Sequence, residues 1–172
     1  MLSSRASRVM RRFLKFAHEI GSVGLMGAVL AHMVLSYRAE GLPPVEYSAM
    51  RQAILAIADY LLVPSLLLVL FSGLVAMALH RGFHNAGWAW VKLATTAVIL
   101  EGTLLGVTAP ATTGAEVAAE LAAGDLTSAH MLEDIVRHER GGLWVILFLS
   151  VVNIAFAVWR PKLRRKKVKA SE

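Results

Sequence analysis

The stretch FAHEIGSVGLMGAVLAHMVL, residues 16–35, decides how the chain is read. It is apolar almost throughout and long enough to cross a hydrocarbon layer of about 30 Å as a helix. Yet it carries an imidazole near each end, at His18 and His32. Leu, Ala, Val and Met dominate it, and alternation at period two is missing, which points to a helix rather than a barrel strand.

Three further runs of this kind follow. With the first, they predict spans over about 13–37, 53–79, 87–108 and 142–160. For a chain of 172 residues, 56% hydrophobic with a mean hydropathy of +0.58, this makes an all-α bundle of four transmembrane helices in one domain over residues 1–172. The first run exceeds the apolar core of a signal peptide and lacks a small-residue cleavage site after it, so it reads as a retained helix. Basic residues crowd both ends, Arg5 to Lys15 and Arg160 to Lys169, within a net charge of +6. An even number of spans puts both termini on one side, and the positive-inside rule makes that side cytoplasmic, as in a bacterial-type inner membrane. The connection over 109–141 then faces outward, with helical composition broken near Gly124. Beside the last span, the tail RPKLRRKKVK reads as a topology signal or an anchor to anionic lipid rather than a nucleic-acid site. Cysteine is absent, so redox chemistry must use another group.

Ionisable side chains inside a membrane helix cost roughly 2.5–3.5 kcal/mol each on insertion scales, which makes them the functional candidates. His18 and His32 are fourteen positions apart. At helical geometry they lie within about 40° of one face and about 21 Å apart along the axis. They cannot share a ligand, but one imidazole per leaflet suits two haems stacked across a bilayer. Between them run Gly21, Gly24 and Gly27, which let either a neighbouring helix or a flat macrocycle approach the backbone. Lys92 opens the third helix at a depth close to that of His18, and Glu101 lies deeper in the same helix, on nearly the opposite side. Asp59, His80, His84, His130 and His138 are secondary candidates near the interfaces, Pro64 is expected to kink the second helix, and Asn153 reads as hydrogen-bonding glue between helices.

Three segments resemble the HemJ-type protoporphyrinogen oxidases, small helical membrane proteins with haem b. These are LKFAHEIGSVGLMGAVL (14–30), YLLVPSLLLVLFSGL (60–74) and WAWVKL (88–93). The chain is also similar to four-helix relatives described as copper-resistance-D-like. The likeness covers residues 13–108 and, more faintly, the last helix with its exit at Arg160 and Pro161. It implies haem ligation by His18 and a functional, catalytic role for Lys92. The family's Asn-Glu-x-Pro signature before the last helix has no counterpart in RHERGGLWV (137–145).

The expected function is therefore a haem b redox protein holding one or two haems. The candidate iron ligands are His18 and His32, Lys92 is a partner for a propionate or substrate carboxylate, and Gly21 and Gly24 give a macrocycle room. Expected partners are the bilayer, a porphyrinogen or a quinone, and a second copy of the chain. Two alternatives stay open, a noncatalytic scaffold or assembly subunit and a copper-handling protein using His32, Met33, Asp59 and the outer histidines His130 and His138. A phosphate-binding loop, a His-Glu-x-x-His zinc site and a nucleophile elbow are all missing from the sequence.

Overall fold

The computed structural model describes residues 4–79 and 87–159, and all their regular structure is helical. In order these are α1 (Ser4–Arg38), α2 (Pro44–Ile57), a π turn (Ala58–Leu62), α3 (Val63–Leu79), α4 (Gly87–Thr103), a second π turn (Leu104–Thr108), α5 (Ala109–Ala122), a 3₁₀ turn (Ala129–Met131) and α6 (Leu132–Trp159). Four helices are long and apolar enough to cross a membrane: Arg8–Arg38, Pro44–Leu79, Ala89–Ala122 and Ala129–Phe156.

The apolar runs thus underestimate the helices. The second is 36 residues long and the third 34, so at 1.5 Å per residue each exceeds 50 Å, against the roughly 30 Å that a bilayer core requires. The segments read as connections, 38–52 and 109–141, are largely helical: α2 begins at Pro44, α5 continues to Ala122, and α6 begins at Leu132. Pro44 sits at the start of α2, where its missing N–H costs nothing. Gly41 and Gly124, both at positive φ, make the turns at this end of the bundle.

Both long helices carry a π turn just before a proline, Ala58–Leu62 before Pro64 and Leu104–Thr108 before Pro110. A proline removes one helical hydrogen bond and its ring clashes with the carbonyl four residues earlier. The wider turn absorbs this, with Val63 N–H reaching back to Ala58 O and Ala109 N–H to Leu104 O. At Pro64, where the sequence predicts a kink, the helix carries this wider turn. The two π turns touch one another, so the wider turns of the second and third helices lie at one level.

The pairing of helices changes across this level. Near the basic end, where the chain carries Arg8, Arg11, Arg12 and Lys15, α3 packs on α1; at the far end α2 packs on α5 instead. Gly21 meets Ser65 O and Val69 Cγ2 at 3.0 Å from a Cβ position, and Gly24 lies under the Ser65 hydroxyl. The room that these glycines provide is filled by α3. The core runs through Leu25, Val29, Leu62, Leu66, Val107, Leu143 and Ile146. Across the other helix pair, Gly106 and Gly142 bring α6 against the second π turn at backbone contact, while Asn153 joins α6 to α4 by accepting from Thr95 Oγ1 (2.9 Å) and donating to Thr96 Oγ1 (3.5 Å).

Candidate functional site

At the basic end the α1–α3 pair and the α4–α6 pair separate, leaving a cavity of about 540 Å³, well inside the range of about 300–1,000 Å³ used for small-molecule sites. His18, Glu19 and Lys15 from α1, Ser72 and Gly73 from α3, and Lys92 from α4 are among its lining residues. The remaining wall is mostly aliphatic, including Leu14, Val69 and Leu93.

The orientation of His18 follows from its partners. Its Nδ1 is 3.1 Å from the Val69 carbonyl and 3.0 Å from Ser72 Oγ. A carbonyl oxygen only accepts, so Nδ1 carries the proton and donates. The Ser72 hydroxyl is itself turned toward Leu68 O at 2.6 Å, which leaves its oxygen free to accept. In the neutral ring Nε2 then keeps its lone pair, the arrangement found where a second hydrogen bond fixes a metal-ligating imidazole. Gly73 lies beside the ring, where a Cβ would be in ordinary van der Waals contact with His18 Cε1 at 3.7 Å. Lys92 forms no salt bridge among the described residues, so the cavity has a cation to offer a ligand. Lys15 and Glu19 face each other at 3.6 Å on the exposed side of α1.

His32 lies in a different setting. It is fully buried at the far end, with Nε2 3.2 Å from Glu139 Oε1. The ring is not aligned for a hydrogen bond and Nδ1 has no partner. Glu139, also fully buried, is held in a fork by Arg51 (Nη1 to Oε1 3.0 Å, Nη2 to Oε2 2.6 Å), and Ser36 Oγ adds a contact at 3.3 Å. Arg51 lies flat against α5 because Gly114 has no side chain there; a Cβ would run into the guanidinium. Around this core Arg140 donates to Ser36 O (2.5 Å), pairs with Glu40 and stacks over Tyr37 at 4.2 Å. The imidazole expected to hold an outer-leaflet haem is thus fully buried among charged and polar side chains from three helices. Gly21 and Gly24 likewise face α3, not a ligand space.

The other candidates disperse. Asp59 and Glu101 are exposed on the helix surface. His130 is exposed, with Nδ1 3.1 Å from Thr127 O, and His138 points away from its buried neighbour Glu139. Met33 is part of the apolar core. Among the described residues no three His, Asp or Glu side chains converge on a metal position. His80 and His84 lie outside the described residues.

Arg51 and Glu139 were not among the candidates. One signal could have found them: each continues the buried stripe of its helix, Arg51 with Ile54, Ala58 and Leu62, and Glu139 with Leu143, Ile146 and Ser150. Comparison with protein-family models, curated proteins and solved structures returns no match to this chain.

Proposed function

We propose that this chain is an integral-membrane haem b protein with a redox function, holding one haem in the cavity at the basic end. The observation that carries this is the imidazole of His18, anchored through Nδ1 to Val69 O at 3.1 Å while it lines a cavity of about 540 Å³ together with Lys92. The donor set fits: neutral imidazole is a good axial ligand to haem iron, the aliphatic wall suits a macrocycle, and a lysine ammonium suits a propionate. The roles that the resemblance to HemJ-type oxidases implies fall on these same two residues, and the one implied for Lys92 agrees with its position in the cavity wall.

A bound haem would supply one-electron chemistry. The chain's part is to hold and tune. Val69 O and Ser72 fix the ring of His18, Lys92 binds and neutralises an anionic group, and the aliphatic wall excludes water. A porphyrinogen or another reduced lipophilic substrate is the donor that this low-dielectric cavity would accept. With the basic end cytoplasmic by the positive-inside rule, the site lies in the inner leaflet of a bacterial-type plasma membrane. A noncatalytic assembly subunit is the second reading, favoured by the use of Gly21 and Gly24 in helix packing.

The test is a dithionite-reduced minus oxidised spectrum of the detergent-purified protein, with pyridine haemochrome stoichiometry. A b-type spectrum at about one haem per chain, abolished in His18→Ala and retained in His32→Leu, is expected. A protein that stays colourless after expression with haem precursor overturns the reading.

A further inference from the structure

On the lipid-facing side of α4 and α6 lies a second, shallower hollow of about 330 Å³, whose lining includes Glu101, Gly102, Gly106 and His138. Its construction is unusual for a membrane surface. The floor is where α6 meets the π turn Leu104–Thr108, and there Gly142 packs directly on the Gly106 backbone. Beside it the floor is low, made by Gly102, Gly106 and the buried side chain of Ile146. The walls are Val98, Leu105, Val145 and Leu149. Glu101 closes one end and His138 the other: with Gly142 opposite Gly106, His138 stands level with residue 110, about nine residues or roughly 13 Å along the axis from Glu101. Both are exposed, and Glu101 has no hydrogen bond or ion pair among the described residues.

A carboxyl group at this depth in hydrocarbon costs several kcal/mol unless it is neutral or partnered. A flat floor, aliphatic walls open to lipid, and a titratable acceptor or donor at each end together describe a particular ligand. It is a planar ring with an oxygen at either end, delivered from the bilayer. We propose that this hollow is a binding site for a lipophilic quinone, Glu101 and His138 each facing one of its two oxygens. The π turn supplies the width, as such turns do at functional sites.

This inference rests on the redox reading given above and supplies what that reading lacks, an electron acceptor. Reduction of one quinone takes two electrons, which the reduced substrate would supply, and two protons. The two carbonyl groups become hydroxyls, and Glu101 and His138 are placed to pass one proton each.

The site is tested without haem. The full chain in nanodiscs of phosphatidylethanolamine and phosphatidylglycerol is irradiated with an azido-benzoquinone bearing a decyl tail, and labelled peptides are mapped by mass spectrometry. Label is expected on 98–106 and 138–149, competed by unlabelled decyl-benzoquinone. It should fall about tenfold in Glu101→Leu, which removes the hydrogen bond that the protonated carboxyl donates to a quinone carbonyl. It should fall at least as far in Gly102→Leu, where a Cβ is tolerated, its nearest contact being Ile146 Cγ1 at 4.0 Å, and a longer chain fills the hollow. Label that ignores both substitutions, or that no competitor displaces, overturns the site. So does a wild-type dimer that Gly102→Leu dissociates, because the hollow would then be covered by a second copy. A colourless protein that still labels keeps the quinone site and loses the haem; a haem-loaded protein that does not label does the reverse.

Discussion

The two histidines of α1 share a helix, nearly a face and an apolar setting, and the bundle treats them in opposite ways. Around His18 the helix pairs part and leave a cavity, and the ring is steered by one carbonyl and one hydroxyl. Around His32 three helices close, and the space is filled by Arg51, Glu139 and Ser36. The difference goes with the second and third helices, which pack closely on each other at the far end, α2 on α5, and less closely at the basic end, α3 on α4, with a π turn between the two parts of each. An intramembrane histidine is therefore not read from its own helix alone. What its neighbours do one or two turns away determines whether it faces a ligand or a counter-charge.

If the far end is held by its charges, the largest effect should come from Glu139. Glu139→Ala leaves the guanidinium of Arg51 buried without a carboxylate, and breaking a buried pair from one side costs about 3–5 kcal/mol. Thermal unfolding in detergent should show a large drop in midpoint, and the double change Glu139→Met with Arg51→Leu should recover much of it. A single substitution with no effect on the midpoint would mean that the cluster is wetter and weaker than its geometry indicates. Next in size is Gly142→Val, where a Cβ would meet the Gly106 carbonyl oxygen. Overpacking of this sort costs about 1–3 kcal/mol, and it should also deform the floor on which the quinone is proposed to lie, so that stability and quinone labelling fall together.

The contrast between the histidines is sharpest in a paired measurement. His32→Leu should change stability by no more than about 1 kcal/mol, because Nδ1 has no partner to lose and Glu139 keeps its bonds to Arg51 and Ser36. His18→Ala should cost a similar amount, the worth of one hydrogen bond. The pigment separates them, since it should survive the first change and vanish with the second. Loss of half the haem in His32→Leu would restore a two-haem arrangement and break the comparison.

Much of this was legible beforehand, for identifiable reasons. Burial of twenty-residue apolar stretches is a strong and local signal, so four helices and a basic end emerge from the sequence directly. The cavity could be anticipated only as two residues at one depth, His18 and Lys92, because the parting of helix pairs depends on where π turns fall, and a proline signals these weakly. The far cluster was missed because Arg51 and Glu139 lie in segments that read as solvent-facing connections, where a charge calls for no explanation. Once α2 and α6 are known to extend through those segments, both charges fall on the buried stripe. His32 does the same on α1, with Leu25, Val29 and Ser36.

The smallest expected effect tests whether the far end is closed by this buried cluster or by the turn that follows α5. At the turn after α5, the Asp125 carboxylate accepts from Thr127 N–H (2.9 Å) and from the Thr127 hydroxyl (2.6 Å). These two bonds hold its pKa below the usual 3.8. A carboxylate with a lowered folded-state pKa contributes its stability above the unfolded value and loses it as the pH falls through the folded one. The turn should thus be unaffected between pH 8 and about 5 and loosen only below the ordinary aspartate range. Because Asp125 is fully exposed, solvent screens its contribution and the global unfolding midpoint should barely follow. The measurement is the protection factor of the Thr127 amide on acidification, set beside the unfolding midpoint. Local loosening at constant midpoint places the closure in the Arg51–Glu139 pair, whereas a midpoint that tracks the turn would assign it to the cap.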